Sequence, residues 1–120
     1  ANESELLALF ETDDFEAATT RLAALVEVAA VTRSAEGSVI VAGNERVVVK
    51  AAAVDKVVDT TGAGDQYAAG FLLGLARGLT LAEAGALGSL AAAEVIAHWG
   101  PRPMTSLERL AVAAGLKLAA

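Results

Sequence analysis

The chain has no cysteine among its 120 residues, which excludes disulfides and thiolate metal sites. Aromatic residues make up only 4% and proline occurs twice, so the core has to be built from Ala, Leu and Val, side chains that favour close helix packing. Long apolar runs are also missing. The longest stretch free of charge, Gln66 to Ala76, falls far short of the roughly 18 apolar residues that a membrane-spanning helix needs, so no membrane partner is expected. Basic charge is scarce: nine Lys and Arg stand against 15 Asp and Glu, a net charge of −6. That balance opposes binding to a nucleic-acid polymer, which relies on clustered cations releasing counterions. A small anion remains compatible with an acidic chain, because backbone amides can bind one locally. No basic and apolar leader precedes the first helix candidate, so a cytoplasmic location is the expectation.

What is present is 55% hydrophobic residues, enough for one domain over residues 1–120. Apolar spacing predicts helices over Ser4 to Phe10 and, capped by Thr12 or Asp13, over Asp14 to Val28, with Phe15, Ala18, Leu22, Leu25 and Val26 as the buried stripe. Val28 to Thr32 reads as a buried strand, and Ser38 to Ala42 with Arg46 to Ala51 as a hairpin around Gly43-Asn44-Glu45. A helix follows from Ala63 to about Arg77, stopped by Gly78. Thr80 to Glu83 forms a capping box for the next helix, which runs to about His98 before Gly100, Pro101 and Pro103. Thr105 to Glu108 repeats the device for a last helix to Ala114, followed by a frayed tail. This alternation of helices and strands indicates an α/β fold, a small sheet covered by helices.

The most informative run is Asp59-Thr60-Thr61-Gly62-Ala63-Gly64-Asp65, which ends a strand-like segment, Val57-Val58, and opens an apolar helix. Two glycines around an alanine let the chain turn sharply, so that unpaired N–H groups at the helix start converge on one anion. A carboxylate in that first turn does not itself attract phosphate. Its task is then to accept a proton from a hydroxyl while the amides stabilise a transferring phosphoryl group. The same residues also fit a plain strand-to-helix turn with an ordinary first-turn acid.

Val57 to Gly78, VVDTTGAGDQYAAGFLLGLARG, is similar to the second signature of the ribokinase/PfkB family of carbohydrate and nucleoside kinases, and the whole chain resembles the C-terminal part of such an enzyme. The adenosine-kinase-like bacterial branch looks nearest. The resemblance implies a ribokinase-like α/β fold, its C-terminal portion only, and ATP-dependent phosphorylation of a hydroxyl on a small sugar or nucleoside. It makes Asp65 the catalytic base and Gly62, Ala63 and Gly64 the anion hole. Asn2 and Glu5 match an N-x-x-E motif that orders the waters around Mg²⁺, and also fit the cap and first turn of the opening helix. Thr32, Ser34 and Gly37 sit at a T-x-G-x-x-G nucleotide loop, with Ser34 at the place of a glycine, or form a strand end and hairpin turn. Ser89 lines the adenine side in this reading, or fills a helix contact. His98 is assigned to the adenine side as well, or caps a helix C-terminus. Asp59 and Thr61 help to hold a monovalent cation such as K⁺ together with carbonyls from Trp99 to Met104, or satisfy loop amides. Met104 stands where ribokinases tend to carry a hydroxyl residue.

The resemblance covers only the later half of a family member, so the chain looks truncated, without the earlier strands, the acceptor pocket and the lid. An uncovered sheet edge and helix face are therefore expected, and with them self-association or pairing with an N-terminal portion. Three readings follow: the ATP-binding and catalytic-base half of a kinase, a catalytically inactive fragment that self-associates, and a nucleotide-binding module without transfer activity. Gly70, Gly74, Gly85 and Gly88 lower helix propensity within their predicted helices and imply close packing against neighbours.

Overall fold

The structure, a computed structural model, describes residues 1–120. Its elements are α1 (Glu3–Leu9), α2 (Phe15–Leu25), β1 (Ala29–Thr32), β2 (Ser38–Ala42), β3 (Glu45–Val49), α3 (Ala63–Ala76), α4 (Leu81–Ile96) and α5 (Leu107–Ala113), with a short 3₁₀ turn at Ser34–Glu36. The three strands form one antiparallel sheet in the order β1-β2-β3. Val31 is opposite Val39, and Ile40 is opposite Val47.

The central strand β2 is buried through its first four residues, and side-chain alternation divides them between two layers. Val31 packs with Leu6 of α1 and Ala18 of α2. Ile40 faces the other way, into a cluster with Tyr67, Phe71, Leu79, Ala84, Leu87 and Ala111. The sheet is thus sandwiched between α1 and α2 on one face and α3 and α4 on the other. Burying a side chain the size of Ile40 stabilises by about 1.5–3 kcal/mol, and Ile40 is completely enclosed. Ser38 is buried on the α3 side and is satisfied by the Tyr67 hydroxyl at 2.7 Å. Burial raises the Tyr67 pKa, opposed in part by the bond to Ser38.

Small residues let α3 and α4 approach closely. A Cβ at Gly70 would stand 2.8 Å from the Leu87 carbonyl oxygen and 2.9 Å from Gly88 Cα, and one at Gly88 would stand 2.9 Å from the Tyr67 carbonyl oxygen. Gly85 brings α4 onto the sheet, where a Cβ would meet Ile40 Cδ1 at 2.6 Å.

Several local expectations are corrected. The second helix is capped by Asp14, which accepts from Ala17 N, and it ends at Leu25. Leu25 and Val26 are exposed and do not extend the stripe. The last helix is capped by Ser106, which accepts from Arg109 N, in place of a box from Thr105. Its tail is docked: Ala119 N donates to the Arg77 carbonyl at 2.7 Å, and Leu116 and Leu118 pack against the larger cluster. Val57 and Val58 are not a strand. They approach the end of α4, whose Ile96 carbonyl accepts from Val58 N and Asp59 N. The outer side of β1 is not bare either, because Asn2 bridges Thr32 in parallel and Thr32 N donates to the Ala1 carbonyl.

Candidate active site

Four of the five α-helices begin with a side-chain cap: Asn2, Asp14, Thr80 and Ser106. The exception is α3, whose N-cap is Gly62 in the left-handed region at φ 81° with no side-chain bond. A Cβ at Gly62 would also meet Pro101 Cβ at 2.8 Å, so conformation and space both call for glycine there. The Ala63 N–H is taken by the Thr60 carbonyl at 3.2 Å and the Gln66 N–H by that of Gly62 at 3.0 Å. Gly64 and Asp65 keep their N–H groups free of protein acceptors, the usual condition of an open helix start. Of the Gly62-Ala63-Gly64 set, only Ala63 has its N–H taken inside the protein, and Gly62 and Gly64 keep theirs free. Gly64 has no positive φ, and a Cβ there would meet nothing within 4 Å. Nothing inside the protein requires that residue to be glycine.

Beside this turn lies a cavity of about 680 Å³. It brings together Asn2, Thr32, Ser34, Gly37, Gly64 and Ser89, residues that are as much as 87 positions apart in the chain, and adds Thr60 and Ala63 from the turn. Its 17 lining residues include no charged side chain. An anion entering it thus meets the α3 amides without a lining carboxylate to repel it, despite the acidic chain. The wall that residue patterns did not single out is apolar: Ala51, Ala52, Val54, Val57, Tyr67, Ala92, Ala93 and Ile96. Only the helical spacing of Ala92, Ala93 and Ile96 with Ser89 offered a signal for it. A second cavity of about 420 Å³, between α2 and the β2–β3 turn, contains none of the expected site residues.

Glu5, Asp59, Thr61, Gly62, Asp65 and His98 fall outside the cavity lining. Asp65 is exposed in the first turn of α3. The four ion pairs of the molecule, Arg33 with Glu3, Arg33 with Glu36, Arg46 with Glu16 and His98 with Glu94, all leave it out. Asn2 and Glu5 form a reciprocal capping box: Asn2 Oδ1 accepts from Glu5 N at 2.8 Å, and Glu5 Oε1 accepts from Asn2 N at 2.9 Å. Ser34 has φ 53°, so this serine occupies a backbone conformation that favours the glycine of the T-x-G pattern. Gly37, at φ 94°, lies so close to Val49 and Lys50 that a Cβ would be only 2.0 Å from the Val49 carbonyl oxygen.

Both carboxylate oxygens of Asp59 accept hydrogen bonds, with Oδ2 taking only one. Its Oδ1 accepts from the Thr61 hydroxyl at 2.6 Å and from Thr61 N at 3.0 Å, and its Oδ2 accepts from Gly100 N at 3.1 Å. These donors, the Thr61 hydroxyl first, hold its carboxyl below the usual carboxylate range. No group of three or more His, Asp or Glu side chains stands together as a metal-binding set. Met104 N binds Glu94, and the Met104 side chain is 79% exposed.

His98 does not line the cavity. Its Nδ1 lies 3.1 Å from the Trp99 carbonyl and its Nε2 2.8 Å from Glu94 Oε1. Both partners are acceptors, so both ring nitrogens must donate, which selects the imidazolium form. The Trp99 carbonyl, and after it the Glu94 carboxylate, raise the His98 pKa above its ordinary 6.5. The stabilisation from this pair is thus complete below the unfolded-state pKa and is lost as pH rises through the higher folded-state value. The His98 ring is expected to titrate by NMR above 6.5 in the folded chain, and Glu94→Gln should lower that midpoint. An unchanged midpoint in the variant would remove Glu94 as a cause.

The layered α/β fold is that of part of a ribokinase-like domain. Residues 1–107 match the pfkB family of carbohydrate kinases, and the chain belongs to that family. It is 42% identical over 101 residues to an uncharacterized sugar kinase of Archaeoglobus fulgidus, covering 84% of this chain and 40% of that protein. Among solved structures, a probable sugar kinase from Rhizobium etli superposes with a TM-score of 0.93 at 53% identity, over 97% of this chain and 35% of that one. The adenosine kinase from Sinorhizobium meliloti gives 0.90 at 55% identity, over 94% and 35%. The chain therefore spans about two fifths or less of the length of these relatives. No helix is long and apolar enough to cross a membrane.

Proposed function

We propose that this chain carries the nucleotide site and catalytic base of an ATP-dependent kinase whose acceptor is a hydroxyl of a nucleoside or small sugar. The observation that carries the reading is Gly64: it borders the cavity, its N–H has no protein acceptor, and the space where a Cβ would stand is empty. A phosphate fills such a space and takes such a donor. Thr32, Ser34, Gly37 and Ser89 are the polar contacts on the nucleotide side, set in an apolar wall suited to a base. In the reaction the Asp65 carboxylate takes the proton of the acceptor hydroxyl while its oxygen bonds to the γ-phosphorus. The bond from that phosphorus to the β–γ bridging oxygen breaks, ADP leaves, and the free amides of the α3 turn offset the charge on the transferring group. Asn2 and Glu5 would hold Mg²⁺ through water, and the ion supplies neutralisation of the phosphate charge. Asp59 and Thr61, with carbonyls of the Trp99 to Met104 loop, would hold the monovalent cation.

The adenosine kinase among the structural relatives supports a nucleoside acceptor. Gly64→Val tests the phosphate contact. The variant is expected to keep the circular dichroism and melting of the parent, since no neighbour is crowded, while ATP affinity falls at least about tenfold. Unchanged affinity would show that the turn does not hold phosphate.

For the chain of 120 residues by itself, one observation supports the inactive, self-associating reading: Val48, Leu72, Trp99, Met104 and Val112 are each more than 60% exposed. This chain is expected to phosphorylate neither adenosine nor ribose, because both substrates must be aligned for in-line transfer, and to sediment as more than a monomer. A monomeric species with ATP-dependent turnover would contradict both statements.

A further inference from the structure

The sequence reading assigned no role to Glu94, although it lies at the junction of three segments. It is on the last turn of α4, with its side chain only 12% exposed. Its Oε1 accepts from two donors beyond the helix end, His98 Nε2 at 2.8 Å and Met104 N at 2.7 Å, and so closes the loop from 98 to 104 back onto α4. That loop then touches the glycine turn at two points. Gly100 N donates to Asp59 Oδ2 at 3.1 Å, and Pro101 packs on the face of Gly62 that a Cβ would need. The other Asp59 oxygen holds Thr61, one residue before the turn. Glu94 Oε2 is buried without a partner, a cost that a carboxylate placed for packing alone would not carry.

We propose that Glu94 is a positioning residue for the Gly62–Gly64 turn, acting through the loop from His98 to Met104. The inference rests on the reading of that turn as the phosphate site for its functional meaning, but its geometry can be judged separately. The loop has little else to hold it, because Trp99, Pro101 and Met104 are exposed. Removing the Glu94 acceptor frees the Met104 end, and the bonds at Gly100 and the contact at Pro101 then have to hold the turn alone. Local opening of the turn should become more frequent while the helices and sheet stay closed.

The test is amide hydrogen exchange, read residue by residue by NMR in this chain. Glu94→Ala should speed exchange at Thr61, Ala63 and Gln66 by about tenfold or more, the scale of one lost hydrogen bond, with Ile40 and Phe71 unchanged. Glu94→Gln retains an acceptor for Met104 N and should restore the slow rates. Pro101→Ala, at an exposed site, should speed the same three amides without touching α4, and carries the test if Glu94→Ala does not fold. Unchanged rates at the turn in these variants, a uniform rise across the chain, or a Gln variant as fast as the Ala variant would each overturn the proposal. Titrating the parent chain with MgATP separates the two readings: failure of the Gly64 amide to respond would end the phosphate assignment, while the exchange rates would still decide the role of Glu94.

Discussion

Asp65→Asn in the complete kinase is expected to abolish turnover while leaving nucleotide binding intact. The carboxylate is exposed in the first turn of α3 and takes part in none of the four ion pairs, so its replacement by the isosteric amide removes a proton acceptor and little structure. The amides of the turn belong to the backbone and remain in place. Loss of a general base costs about 10²-fold or more in rate, and the fall should appear in kcat with the KM for ATP little changed. Steady-state kinetics of the purified variant checks this. Turnover near that of the parent enzyme would remove Asp65 from the mechanism.

Gly70→Val should have the largest effect on stability. The position on α3 meets the Leu87 carbonyl and Gly88 Cα of α4 within 3 Å of any added Cβ, and these are backbone atoms that cannot rotate aside. Even one methyl group forces the helices apart, and overpacking of this kind costs about 1–3 kcal/mol or more. Valine adds two further carbons and a β-branched restriction. Thermal melting should fall by at least about 5 °C, and the larger cluster of Ile40, Tyr67, Phe71 and Leu87 would loosen with it. A melting temperature equal to that of the parent would mean that α3 and α4 do not pack through this contact.

The contrast between Gly70 and Gly64 shows what the sequence could disclose. Both are glycines in the same helix, Gly70 singled out as a departure from helix propensity and Gly64 as part of the anion-binding turn. The close packing expected at Gly70 is found. At the turn, the positive φ belongs to Gly62 and the open space to Gly64, a division of labour that the pattern Gly-Ala-Gly does not reveal. Thr80 and Glu83 were legible as a capping box because their bonds are local. The tail after α5 was not, because it is held by Arg77, 42 residues earlier than its partner Ala119. Glu94 was hidden although its partners are nearer: as one more residue of an Ala-rich helix it carries no signal until Met104, 10 residues on, folds back to it. The surroundings of His98 were hidden for the complementary reason. Its position near the helix end was clear, but its direction depends on Glu94 and Trp99. The polar side of the cavity was legible because Thr32, Ser34, Gly37 and Ser89 belong to recognisable patterns, whereas its apolar wall consists of alanines and valines that read only as core.

The central claim, that the open start of α3 receives the phosphates of a nucleotide, is tested most directly by an NMR titration of this chain with MgATP and, in parallel, with adenosine. The account predicts saturable shifts of the Gly64 and Asp65 amides with MgATP that adenosine does not produce and that Gly64→Val removes. Shifts confined to other parts of the chain, or equal shifts with adenosine, would contradict it.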